Sequence, residues 1–75
     1  MSNLKIDIAH DAQITERGIK LLIAKRGIEK AVEATAVYNH WDNCTTIDVR
    51  TEGKRYFDYR FHKSNSGKIT KHPFF

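Results

Sequence analysis

Cysteine, proline and long apolar runs are scarce in this chain, and each scarcity removes a class of answers. The one cysteine, Cys44, cannot build the internal disulfide framework that small secreted domains ordinarily need, so a reducing, cytoplasmic setting is expected. With a single proline and no internal repeat, the chain shows no low-complexity segment. No apolar stretch is long enough to span a bilayer. Met1 to Ile8 alternates charged and apolar residues instead of joining a basic segment to an apolar run, so neither a signal peptide nor a membrane partner is expected. Acidic residues stop at Asp58, which makes a mimic of DNA a poor reading.

What remains is the composition of a folded globule, with 40% hydrophobic and 29% charged residues in a chain of 75. That length gives one domain over residues 1–75, with a thin core that buries roughly 60% of the unfolded surface. Thirteen Lys and Arg against nine Asp and Glu leave a net charge of +4. The excess is concentrated late, in Arg60, Lys63, Lys68 and Lys71 with His62 and His72, so residues 64–75 read as a mobile basic tail.

The hydrophobic periods give an α+β order. Leu4, Ile6 and Ile8 alternate with Lys5 and Asp7, as a half-buried strand does. From Ala12 to Arg26, Ile14, Ile19, Leu22 and Ile23 recur at helical spacing, with Asp11 or Thr15 as N-cap and Gly27 as the stop. Leu21 widens the apolar arc and Glu16 supports Lys20 four residues on. Residues 28–36 fit either helix or strand at their start, but Thr35 to Tyr38 and the turn at Asp42 and Asn43 favour a strand up to Trp41. A two-residue turn there sets Tyr38 opposite Ile47 and Ala36 opposite Val49. A three-residue loop, Thr51 to Gly53 with Gly53 left-handed, then pairs Ile47 with Phe57 and Thr45 with Tyr59. Lys68 to His72 reads as a short edge strand ended by Pro73, with Phe74 and Phe75 beyond it. The expected fold is an antiparallel sheet of three to five strands with one helix on one face, in the order β-α-β-β-β.

These registers also define the face turned away from the helix. It should carry Thr35, Val37, Asn39 and Trp41, then Cys44, Thr46, Asp48 and Arg50, then Lys54, Tyr56, Asp58, Arg60 and His62. Aromatic rings stack on bases while arginine and lysine meet phosphates, so Trp41, Tyr56 and Arg60 are candidate anchors, with Arg50, Lys54, His62, Lys63, Lys68 and Lys71 supporting them. The same alternation equally suits any two-layer fold with one wet sheet face, where Asp48 beside Tyr56 and Thr46 beside Asp58 are ordinary cross-strand pairs.

Chemistry finds less support. His40 precedes Cys44 by four residues, but the expected register sends His40 to the core face and Cys44 to the outer one, so no metal site is expected. The loop Ser64 to Lys68 lacks the GxxxxGK[ST] spacing of a nucleotide cradle. No nucleophile has a base fixed beside it, so the chain reads as non-enzymatic and without a cofactor. A ribonuclease built on His62, Tyr56 and Arg60 is the weaker alternative.

A three-stranded antiparallel sheet backed by one helix is similar in architecture to small DNA-binding domains that lay the sheet in the major groove, and the resemblance covers no sequence motif. A helix-turn-helix over Ile19 to Ala36 fits less well, because its second helix would end in β-branched and aromatic residues. The leading expectation is a binding protein whose partner is DNA, RNA or a nucleoprotein complex, met through the outer sheet face and the basic tail. The alternative is a small inhibitor that covers a protein surface, as phage-encoded anti-defence proteins such as anti-CRISPRs do, using Trp41, Arg50 and Arg60 as interface anchors. Self-association through the helix or an open sheet edge, giving a homodimer, is compatible with both.

Overall fold

A computed structural model describes residues 4–72, so Pro73, Phe74 and Phe75, with the roles expected for them, lie outside the described residues. Strand β1 (Lys5–Ile8) leads into helix α1 (Glu16–Lys25), followed by β2 (Ala31–Asn39), β3 (Cys44–Thr51), β4 (Tyr59–Ser64) and β5 (Ile69–His72). The five strands form one sheet in the order β1-β2-β3-β4-β5. The fold is α+β as expected, but the sheet is mixed, not antiparallel: β1 runs parallel to β2, with Ile6 opposite Ala34 and Ile8 opposite Ala36. The reason is the connection, because one helix crossing back over the sheet returns the chain to the end from which β1 started. No helix among the described residues is long and apolar enough to cross a membrane.

Local chemistry sets the helix ends. Thr15 is the N-cap, its Oγ1 accepting from the Gly18 amide at 3.1 Å, so the helix begins at Glu16 and not at Ala12. Ahead of it, the Gln13 amide donates to Thr45 Oγ1 at 2.9 Å, which ties the incoming chain to the sheet. At the other end Gly27 takes φ 68°, the Ile28 amide reaches Ile23 O at 3.1 Å and the Gly27 amide reaches Ala24 O at 3.1 Å. That double bond pattern is a Schellman motif, and its apolar contact is made by Ile23 and Ile28, which both join the core. The expected Glu16 to Lys20 pair forms at 3.2 Å between exposed side chains.

Both hairpins are longer than the sequence suggested. Asn39 pairs with Cys44, so the first loop holds four residues, His40 to Asn43, instead of two. Asn39 Oδ1 accepts from the amides of Trp41 (2.9 Å) and Asp42 (3.3 Å), and Asn43 takes φ 53°, an arrangement that a two-residue turn cannot hold. The register slips by two, to Ala36 with Ile47 and Tyr38 with Thr45, and an even slip leaves every side chain on its expected face. The second connection runs from Glu52 to Asp58. The Asp58 carboxylate closes it by accepting from the Thr51 amide (3.0 Å) and from Thr51 Oγ1 (2.6 Å), while the Asp58 amide donates to Val49 O (3.0 Å). Gly53 is left-handed as expected, at φ 85°, but Ile47 now faces Phe61 in place of Phe57, and Lys54, Tyr56 and Asp58 leave the sheet.

The core lies between the helix and one sheet face: Ile19, Leu22, Ile23 and Ile28 against Ala34, Ala36, Ile47, Val49 and Phe61. A bulge between Ala31 and Glu33 breaks the alternation of β2, so that Ala31 packs against this core. Leu21 widens the helix arc as expected and stays 52% exposed. Truncating fully buried Phe61 to Ala should cost about 3–5 kcal/mol in urea unfolding, a large part of what a chain this short holds. Gly27→Ala should cost about 1 kcal/mol through backbone conformation alone, since an added Cβ there meets nothing within 4 Å. A Phe61→Ala protein with unchanged unfolding midpoint would contradict this packing.

Candidate functional site

The outer sheet face is built by β2, β3 and β4 in the alternation expected, but its charges are answered from within. Arg60 lies directly opposite Asp48, its Nε 2.7 Å from Oδ1. The hydrogen bond that Arg60 donates to Asp48 raises the guanidinium's pKa, against the opposing effect of burial. Arg50 Nε donates to Glu33 Oε1 at 3.0 Å, and its Nη1 to Lys54 O at 3.0 Å. Both arginines singled out from the sequence therefore carry a carboxylate partner, which removes most of the positive potential of this face.

Its aromatic component is free. Trp41 stands 95% exposed in the first hairpin loop, beyond the last residue of β2 and not within the strand as expected. Asn39 holds that loop through its two amide bonds and through Nδ2 to Asp42 Oδ2 at 3.0 Å, so a large apolar ring is presented on a fixed support. A shallow depression beside it is lined by Val37, Trp41, Thr46, Asp48 and Arg60, with Val37 49% exposed. His40, expected on the core face, lies in the same loop, 3.2 Å from Asp11 Oδ2 and edge-on to the Tyr38 ring. Sequence reasoning missed Asn39, whose position two residues before Trp41 was the available signal for a side-chain-capped turn.

The remaining candidates disperse. Tyr56 is 76% exposed in the 52–58 connection and Lys54 lies in the same loop, so neither belongs to the sheet face. Lys63 and Lys71 stand opposite Thr45 and Phe61 respectively, which puts them on the helix side of the sheet, away from Trp41. Lys68 sits in the β4–β5 turn, where the amides of Gly67 and Lys68 already bond Ser64 O and Ser64 Oγ, so they form no anion cradle. His62 is on the outer face beside Cys44, with Nδ1 3.6 Å from Sγ, and edge-on to His72. Cys44 is only 7% exposed, and no group of three metal-binding side chains is found among the described residues. A ribonuclease set is not assembled either, since Tyr56 has left the strand and Arg60 is engaged by Asp48.

Trp41 is the single tryptophan, so intrinsic fluorescence reports on it alone. Its emission should be that of a hydrated indole, fully open to acrylamide quenching, and Trp41→Ala should move stability by less than about 0.5 kcal/mol. Asp48→Asn should cost about 1 kcal/mol, a loss that shrinks as salt screens the half-exposed pair. A blue-shifted, quencher-resistant emission would show the ring packed and not presented. In the comparisons with known proteins, no family model matches the chain, and neither the curated proteins nor the solved structures return a match.

Proposed function

We propose that this domain is a non-enzymatic binding protein that docks on a protein partner through the Trp41 loop and the adjoining outer sheet face. The observation that carries this reading is a tryptophan 95% exposed on a loop braced by Asn39. Leaving an indole in water gains the free domain nothing, whereas burying one in a partner's pocket is among the most favourable single contacts an interface makes. The surroundings fit the same purpose. Val37 extends the apolar patch, and the Arg60–Asp48 and Arg50–Glu33 pairs supply a polar rim with its charges already balanced.

That balance favours a protein over a polyanion on this face. The occupant has an apolar pocket deep enough for an indole, rimmed by groups that hydrogen-bond to Thr46, Asp48 or Arg60. A protein that itself handles nucleic acid is the natural candidate, because the domain's net charge of +4 draws it to such assemblies, and covering a working surface there would make it an inhibitor. No chemical step is part of this reading; the one thiol, Cys44, is buried beside His62.

The test compares affinity capture by the wild-type domain and by Trp41→Ala, followed by titration of the purified captured protein into the wild-type domain. Binding should blue-shift the Trp41 emission and weaken at least about a hundredfold on substitution to Ala, an anchor-sized effect. Equal capture by Trp41→Ala, or a titration that leaves the emission unchanged, would overturn the reading.

A further inference from the structure

Among the described residues, three of the cations that carry no carboxylate partner, Arg26, Lys63 and Lys71, come from α1's C-cap, β4 and β5 on the helix side of the sheet. Among the described residues, ion pairs engage Lys20, His40, Arg50 and Arg60, but not Arg26, Lys63 or Lys71. Arg26 follows the last residue of α1, and its guanidinium lies 5.3 Å from the centroid of the Phe61 ring, with Nη2 3.5 Å from Ile69 O. Lys71 Nζ lies 5.3 Å from the centroid of Tyr59. Lys63 Nζ donates to Gln13 O at 2.6 Å. Rings and carbonyls steady these side chains without neutralising them.

The support beneath is rigid. Tyr59 and Phe61 stack in parallel at 6.4 Å, and Phe61 is fully buried. Lys63 and Lys71 come from neighbouring strands, one opposite Ile69 and the other opposite Phe61, so they lie about 7 Å apart along the strand direction. Arg26 and Lys71 are exposed and Lys63 is half-buried, its ammonium held at Gln13 O.

We infer that this ledge binds the sugar-phosphate backbone of a nucleic acid. Charge complementarity selects the occupant, because three positive groups without internal counter-charge gain most from a regular line of phosphates. The rings are already covered by Arg26 and Lys71, so no base can stack on them and binding is sequence-independent, with a duplex held as well as a single strand. The inference is independent of the Trp41 reading, since the two surfaces share no residue.

Fluorescence anisotropy of a labelled mixed-sequence duplex, titrated with the whole domain, tests it. Three phosphate contacts give a log–log salt slope of about −2.7, or roughly a forty-fold loss of affinity between about 50 and 200 mM salt. Lys63→Gln/Lys71→Gln should reduce the slope to about −0.9, and Lys71→Glu, which leaves the Lys63 bond to Gln13 intact, should weaken binding at least about tenfold. Trp41→Ala should leave duplex affinity unchanged. Absent or salt-independent duplex binding overturns the inference, as does an unchanged affinity in the lysine variants or binding confined to phosphatidylserine vesicles or polyglutamate. Loss of duplex binding in Trp41→Ala would also overturn it, by returning the nucleic acid to the outer face.

Discussion

Everything functional in this domain depends on the register of β3 against its two neighbours. Ile47 lies between Ala36 on β2 and Phe61 on β4, and all three are buried under the helix. With that row fixed, strand alternation assigns each remaining side chain to one face or the other. Asp48 and Arg60 meet on the outer face, and Lys63 goes to the helix side. The registers are held by two side chains that bond to backbone: Asn39 closes the first loop and Asp58 the second. A slip of one residue on either side would turn the core row to water, so these two polar contacts act in concert with the hydrophobic pattern.

The faces that result differ in electrostatic character. On the outer side two arginines answer two carboxylates, leaving an exposed indole as the dominant feature. On the helix side cations rest on aromatic rings and carbonyls. A net charge of +4 is thus unevenly expressed. The two proposals together, a protein partner on one side and phosphates on the other, would suit a nucleoprotein assembly, where both kinds of surface lie within reach.

Much of this was legible in the chain. Alternation in Leu4 to Ile8, the helical spacing of Ile19, Leu22 and Ile23, and Gly27 as a stop all describe elements that form. The outer-face membership of Thr46, Asp48, Arg50, Arg60 and His62 survived registers that were wrong by two and by four, because even slips preserve the face. The errors came from interactions that hydrophobic patterning does not encode. Asn39 and Asp58 lengthened both loops through side-chain bonds, and the second of these put Phe61 in place of Phe57 opposite Ile47 and released Tyr56 from the sheet. The parallel pairing of β1 was implied by its strand–helix–strand context, although the antiparallel hairpins that follow obscured it. The charge pairing of Arg50 and Arg60 depends on which residue stands across the strand, so no reading of net charge could have found it.

The most direct test of two faces with separate work is an amide chemical-shift titration of the isotopically labelled domain with a short mixed-sequence duplex at low salt. The account predicts perturbations at Arg26, Lys63 and Ile69 to Lys71, with the loop amides of His40 to Asn43 and the Trp41 indole unmoved. Perturbations centred on Trp41, Thr46 and Arg60 instead would contradict it, and would make the outer face the one that meets nucleic acid.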